Sequence, residues 1–336
     1  MQYKSVKGFT GWGQLGFLFA FLGLGFILAG GAELLLTMNI LPPGAKMTDK
    51  DAIMNAILAP ENVGMARIIQ VSGTLLLLFV PAVLWSWVSN GRNMFWLGFN
   101  KYINIRQFLL AFLIIFTANI AATPLEELSK NIVAHFPSLN ASAKQMEDEY
   151  TRQALALTNL HGWGDYIVGM FIMAFFPAMF EEVFFRGVLQ NFLTKWLRKP
   201  YAGITISSLI FSFVHMSVYL FLSRFVLGFA LGLIFYETRN IWANILAHFI
   251  NNAIALSALF FSTKKPGAKD LDQLDPHVPW AYGLVGFGVL VGMFIFLHKY
   301  SERNKARINA KENLLIAEAD PFRSFADAEN QTGGDQ

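Results

Sequence analysis

Three apolar stretches in the second half of the chain carry acids, imidazoles and amides at helical spacing. The first holds Glu181-Glu182-Val183-Phe184-Phe185-Arg186, the second Phe211-Ser212-Phe213-Val214-His215, and the third Asn244, His248, Asn251 and Asn252. Glu182 and Arg186 are four residues apart, so on a helix they share a face and can form an ion pair. Glu181 is turned by about 100° from Glu182, which frees its carboxylate for a different neighbour. Asn244, His248 and Asn252 recur every four residues and draw one polar stripe along an otherwise apolar helix. A carboxylate in apolar surroundings, with imidazoles beside it, is suited to general acid–base work. Read structurally, the same groups are hydrogen bonds that hold helices together.

Depth separates the two readings. Lys195, Lys199 and Arg239 mark the basic ends of the stretches. Measured from them at about 1.5 Å per residue, Glu181, His215, His248 and Asn252 lie roughly 21, 24, 14 and 20 Å in. Three helices therefore bring polar groups to similar depth, which the motif spacings do not require.

The stretches that carry these groups are spans of a membrane. The chain has 336 residues, 54% hydrophobic and 15% charged, against about 25% charged in a soluble domain. About 20 apolar residues cross the hydrocarbon, and about eight such runs are legible: 12–36, 68–89, 106–123, 166–194, 201–220, 223–237, 240–262 and 279–298. The expected fold is an all-α, polytopic helical bundle. Lys4, Lys7, Arg92, Lys101, Arg106, Lys195, Arg198, Lys199, Arg239, Lys299 and Arg303 then fall on one side, which predicts both termini in the cytoplasm of a cell-membrane protein. Arg224 is the mild exception. The first run, behind Lys4 and Lys7, is too long for a signal peptide and is expected to be a retained helix. Segments 41–66 and 124–160 are expected as outer loops with short surface helices, and 301–336 as a polar tail, a frayed helix followed by disorder. A net charge of +3 gives no argument for nucleic acid. The absence of cysteine excludes disulfides, a thiol nucleophile and Cys-ligated zinc.

The order EExxxR, FxxxH, HxxxN on three successive membrane segments resembles the CPBP family: CAAX prenyl endopeptidases, the Abi group and bacterial relatives linked to bacteriocin maturation and immunity. The matching residues are Glu181, Glu182 and Arg186; Phe211 and His215; His248 and Asn252. The resemblance covers about residues 163–262. It divides the chain into N-terminal helices with two outer loops (1–160), a catalytic core (161–262), an outer loop with the last span (263–300) and the tail. It implies an intramembrane endopeptidase in which Glu181 is the general base on a water that His215 holds and polarises. His248 and Asn252 would donate to the oxyanion, and Glu182 with Arg186 would fix the helix. Implied partners are membrane lipid and a peptide or membrane-protein substrate, prenylated or a bacteriocin-like precursor. Phe211 and Asn251 read as packing.

Other readings compete. Glu181, His215 and His248 are ligand types that suit zinc. The metal-free form, with no cofactor, is preferred because Asn252 lies at hydrogen-bonding depth and no HExxH pair exists. Gly162-Trp163-Gly164-Asp165 looks like an intramembrane aspartyl protease signature, but no second Asp falls in a span, so Asp165 reads as a helix start. Ser72-Gly73 lacks the context of a membrane serine site, and GxSxG is absent. A non-catalytic scaffold or immunity protein of the same fold would not need the full set of polar groups. An ion-coupled transporter would be expected to repeat them in the first half, which has no counterpart.

Overall fold

The computed structural model describes residues 3–158, 162–263 and 278–319. The end of the 124–160 segment, the outer loop before the last span (264–277) and the end of the tail (320–336) lie outside the described residues. The described residues form ten helices: α1 (Gly11–Thr37), α2 (Lys50–Leu58), α3 (Pro60–Ser89), α4 (Ile105–Ala134), α5 (Pro137–Leu157), α6 (Trp163–Leu197), α7 (Pro200–Val214), α8 (Phe221–Thr238), α9 (Ile241–Thr263) and α10 (Trp280–Ala319). Among the described residues there is no strand, only an isolated bridge between Lys4 and Thr10. The starts follow local chemistry. The Thr10 hydroxyl accepts from the Gly13 amide, Asp49 caps α2, and Asn104 caps α4. Pro137 and Pro200 begin α5 and α7, where a missing N–H is harmless.

Among the described residues seven helices are long and apolar enough to cross a membrane: α1, α3, α4, α6, α8, α9 and α10. The chain is a multi-pass membrane protein. α1 leaves Phe19, Phe26, Ile27 and Leu35 exposed, as a helix bathed in hydrocarbon does. One apolar core joins α1, α3 and α6 through Leu18, Trp85, Val188 and Phe192. A second joins α4, α8, α9 and α10 through Ile114, Leu231, Ala243 and Leu297.

The expected crossing over 201–220 is corrected. α7 has 15 residues, about 22 Å at 1.5 Å per residue, and stops at Val214. Met216, with φ 53°, turns the chain out of the helix, and Ser212 Oγ ties the turn by donating to Phe221 O at 2.6 Å. Non-helical backbone inside a membrane protein persists only where protein covers it. α5 provides that cover: Ser217 donates to Glu147 at 2.7 Å and Tyr219 to Asn140 Oδ1 at 2.7 Å. The mixed-charge segment is therefore docked on the turn.

Two other boundaries moved. α4 runs through Pro124, where the third span was expected to end. Losing one backbone bond is tolerated because Pro124 is buried against α10, where a Cβ on Gly283 would come within 2.9 Å of its ring. The tail expected to fray from 301 is helical to Ala319, with Ser301, Asn304 and Ile308 buried. Glu312 anchors it, bonding Lys195 at the end of α6 and Arg239 after α8, both at 2.6 Å. Lys305 adds a bond to Glu237 at 2.6 Å. Forty residues of helix reach about 60 Å, twice the hydrocarbon thickness, so Glu312 stands clear of the membrane. Burial opposes its ionisation, yet Lys195 and Arg239 outweigh that and hold its pKa down to about 2. A depressed carboxyl stabilises above the ordinary carboxylate pKa and loses that contribution as pH falls toward 2. Glu312→Ala is expected to cost about 1–3 kcal/mol of tail docking at neutral pH, read as faster limited proteolysis within 300–319.

Close helix contacts are made through small residues. At Gly203 in α7 an added Cβ would sit 2.7 Å from the Thr194 backbone nitrogen and 2.9 Å from its Cα. Backbone cannot step aside as a side chain can. Gly203→Ala is therefore expected to destabilise by about 1–3 kcal/mol, measurable as a lower unfolding temperature in detergent.

Candidate active site

Three elements converge on one buried centre. α6 brings Glu181, Glu182 and Arg186. The turn after α7 brings His215, and α9 brings Asn244 and His248. α6 is wound more loosely on either side of the two acids, with π-helical stretches at Met170–Phe175 and Val183–Gln190. Such turns shift the register of side chains and are frequent at functional sites.

Glu182 is wholly buried and fully bonded. Oε1 accepts from Arg186 Nη1 and from His248 Nδ1, each at 2.8 Å, and Oε2 accepts from Asn244 Nδ2 at 3.1 Å. Arg186 is spread over three elements. Besides Glu182 it donates to Gly228 O on α8 at 2.9 Å and lies 4.8 Å over the Phe211 ring. The neighbouring acid differs. Glu181 Oε2 is buried without a hydrogen-bond partner and lies 3.8 Å from His215 Nε2 and 3.8 Å from His248 Nε2. That separation is beyond a direct hydrogen bond.

The remaining ring nitrogens fix the tautomers. His215 Nδ1 lies 2.6 Å from Phe211 O, and His248 Nδ1 lies 2.8 Å from Glu182 Oε1. A carbonyl and an ionised carboxylate only accept, so both Nδ1 atoms carry protons. In the neutral rings each bare Nε2 then faces the Glu181 carboxylate. Three acceptors share one point.

The expected residues are distributed as follows. Glu181, Glu182, Arg186, His215 and His248 form one contact network. His215 belongs to the turn at the end of α7 rather than to the helix, and Arg224 donates to its carbonyl at 3.3 Å. The bonds of Asn252 run elsewhere: it donates to Ala174 O on α6 at 3.5 Å and accepts from Asn251 at 3.4 Å. Asn251 in turn accepts from Asn119 on α4 at 2.5 Å. Two residues have larger parts than expected. Asn244 holds Glu182 and donates to Leu231 O at 2.7 Å; its four-residue spacing from His248 was the available signal. Phe211, read as packing, carries Arg186 on its ring face and touches both imidazoles, with centroids 4.6 Å from His215 and 5.9 Å from His248. Asp165, in the first turn of α6, also pairs with Arg67 at 3.5 Å.

Two cavities meet at His215. One, of about 920 Å³, runs between α1, α3, α6 and α7. Its lining is mostly apolar (Leu18, Phe26, Phe184, Ile210), with Glu181 and His215 opening into it and Glu33, Gln70 and Thr74 also on its wall. The other, of about 570 Å³, lies under α5 and is polar, bounded by Ser142, Gln145, Tyr150 and His215. Among the described residues no three His, Asp or Glu side chains stand in metal-holding geometry.

Fold and site together define a multi-pass membrane protein that carries an acid–imidazole centre inside its bundle, beside an apolar cavity. Residues 163–254, the segment that builds this centre, match the family model described as type II CAAX prenyl endopeptidase Rce1-like. That description is of a protease-type family. Neither the curated proteins nor the solved structures contain a match to the chain.

Proposed function

We propose that the protein is an intramembrane endopeptidase that hydrolyses a peptide bond with a water activated by Glu181. One observation carries the reading: the unpartnered Glu181 oxygen faces two imidazole Nε2 atoms at equal distance and opens into a large apolar cavity. A water among these acceptors gives one hydrogen to Glu181 and the other to an imidazole. Glu181 takes a proton as the water oxygen attacks the carbonyl carbon. One imidazole in its protonated form, donating from Nε2, and Asn252 Nδ2 stabilise the oxyanion. The proton held by Glu181 then passes to the leaving amine as the C–N bond breaks. This revises the part expected of His248: with Nδ1 committed to Glu182, it donates at the site only as an imidazolium. Glu182, Arg186 and Asn244 position that ring.

The apolar cavity supports a substrate with an apolar segment or appendage, a prenylated or bacteriocin-like peptide precursor or a membrane-protein fragment. The polar pocket under α5 supports entry of water. Lys195, Arg239 and Lys305 gather at one end of the bundle, which supports a cytoplasmic position for that end and for both termini in a cell membrane.

Asn252→Ala is expected to slow cleavage by about 100- to 1,000-fold, the range for an oxyanion donor, with little change in KM. Comparative proteomics of membranes holding wild-type or Glu181→Ala protein tests the reading as a whole. A peptide or protein precursor should accumulate only with the variant; identical membrane proteomes would count against a peptidase.

A zinc reading is favoured by one observation, that both rings turn bare Nε2 atoms toward Glu181 while their Nδ1 atoms are held, the pattern of ligating histidines. Metal analysis of active purified protein decides between them: stoichiometric zinc that activity requires would replace the metal-free scheme.

A further inference from the structure

The apolar cavity contains a second carboxylate. Glu33 on α1 lines it, together with Gln70 and Thr74, one turn apart on α3. Glu33 has no hydrogen bond or ion pair to a described residue and is exposed. The nearest cation along α3, Arg67, is committed to Asp165 and to Leu157 O. By its place near the end of α1, Glu33 stands at the outer mouth of the cavity, where an exposed carboxylate with no cation among its described neighbours can take one from a substrate.

Its position relative to the centre can be read from helix contacts. α1 and α3 are antiparallel: Trp12 packs on Trp196, and the amide of Lys7 bonds Ser89 O, both at the basic end. A Cβ on Gly25 would lie 2.6 Å from Leu76 O, so Gly25 is level with Leu76 and Leu77. Phe79 packs on Phe180 at 5.4 Å, which puts Glu181 level with about residue 80 of α3 and about residue 22 of α1. Glu33 is then 11 residues along α1 and Gln70 10 residues along α3, about 15–17 Å from the level of Glu181 along the helix axes. Both lie away from the basic end. In the opposite direction the cavity wall is apolar as far as Leu15 and Leu193.

We propose that Glu33, which lines the same cavity as Gln70, is a specificity subsite that binds a cationic group of the substrate, a basic side chain or a terminal ammonium. At about 3.3 Å per extended residue, the cation stands about four to five residues from the scissile bond, and the apolar part of the substrate fills the opposite limb. This rests on the peptidase reading and adds the substrate's charge and direction to it.

The test uses the full chain in nanodiscs of zwitterionic lipid. The probes are two labelled peptides that share an apolar segment and differ four residues from its edge, one with Lys and one with norleucine. Both binding, by fluorescence anisotropy, and cleavage are followed. The wild type should bind the Lys peptide about tenfold more tightly. Glu33→Gln should bring the ratio close to one, and Glu33→Lys should turn the preference toward a Glu-bearing peptide. Equal binding of both peptides by the wild type, or a Lys preference that survives Glu33→Gln, overturns the subsite. Charge-selective binding without cleavage would retain the subsite and count against the peptidase reading. Cleavage without charge selection would do the reverse.

Discussion

Glu181→Gln is expected to lower the cleavage rate by about 100- to 10,000-fold, the contribution of a positioned general base, while the protein folds normally. The amide has nearly the shape of the acid but cannot take a proton from water. Its effect on stability should be small, within about 1 kcal/mol, because Oε2 makes no hydrogen bond that the fold depends on. Initial rates on a validated substrate, compared with unfolding temperature in the same detergent, check both halves. Wild-type turnover by this variant would remove Glu181 from the role of base.

The adjacent residue should behave in the opposite manner. Glu182→Ala leaves Arg186 charged and wholly buried, 1% exposed, with its carboxylate partner gone. It also strips His248 Nδ1 and Asn244 Nδ2 of an acceptor. Breaking one side of a buried ion pair costs about 3–5 kcal/mol, so this variant is expected to unfold far earlier or fail to accumulate. Replacing the pair together, Glu182→Leu with Arg186→Met, removes the uncompensated charge and should recover much of that loss. It should not recover activity, because nothing then orients the His248 ring. A stable but inactive double variant beside an unstable single one separates holding the fold from holding the ring. If Glu182→Ala were as stable as the wild type, the network would not carry the weight given to it.

Much of this centre was legible in the sequence, because intramembrane polar groups are few and their spacing is helical. Glu182 and Arg186 at four residues pair as expected, and Glu181 one step round faces other partners. The agreement in depth that brought Glu181 level with His215 is realised in their contact. What was not legible depended on tertiary cover. An apolar run from 201 to 220 reads as a full span, since hydropathy cannot see Met216 in a left-handed conformation or α5 lying over the turn. Likewise, the charged residues after 300 read as a solvated tail because their partners, Lys195, Arg239 and Glu237, are distant in sequence. Pro124 looked like a stop because the glycine of α10 that accommodates it lies more than 150 residues away. For Asn252, helical spacing gave the face but not the partner, and its bond runs to Ala174 O on α6.

Glu33 was overlooked for a related reason. It is the one charged residue of α1, with no residue of opposite charge at helical spacing on its own helix. Only the antiparallel packing of α1 on α3 brings it beside Gln70 in the cavity that also holds Glu181.

In the proposed mechanism the oxygen added to the substrate comes straight from water, with the residue 181 carboxylate handling only protons. A single turnover in ¹⁸O-enriched water, followed by mass spectrometry of the product and of the peptide containing residue 181, tests it most directly. One heavy oxygen is expected in the new C-terminal carboxylate and none in the side chain of Glu181. Label in that side chain, or a covalent adduct there trapped by hydroxylamine, would contradict it.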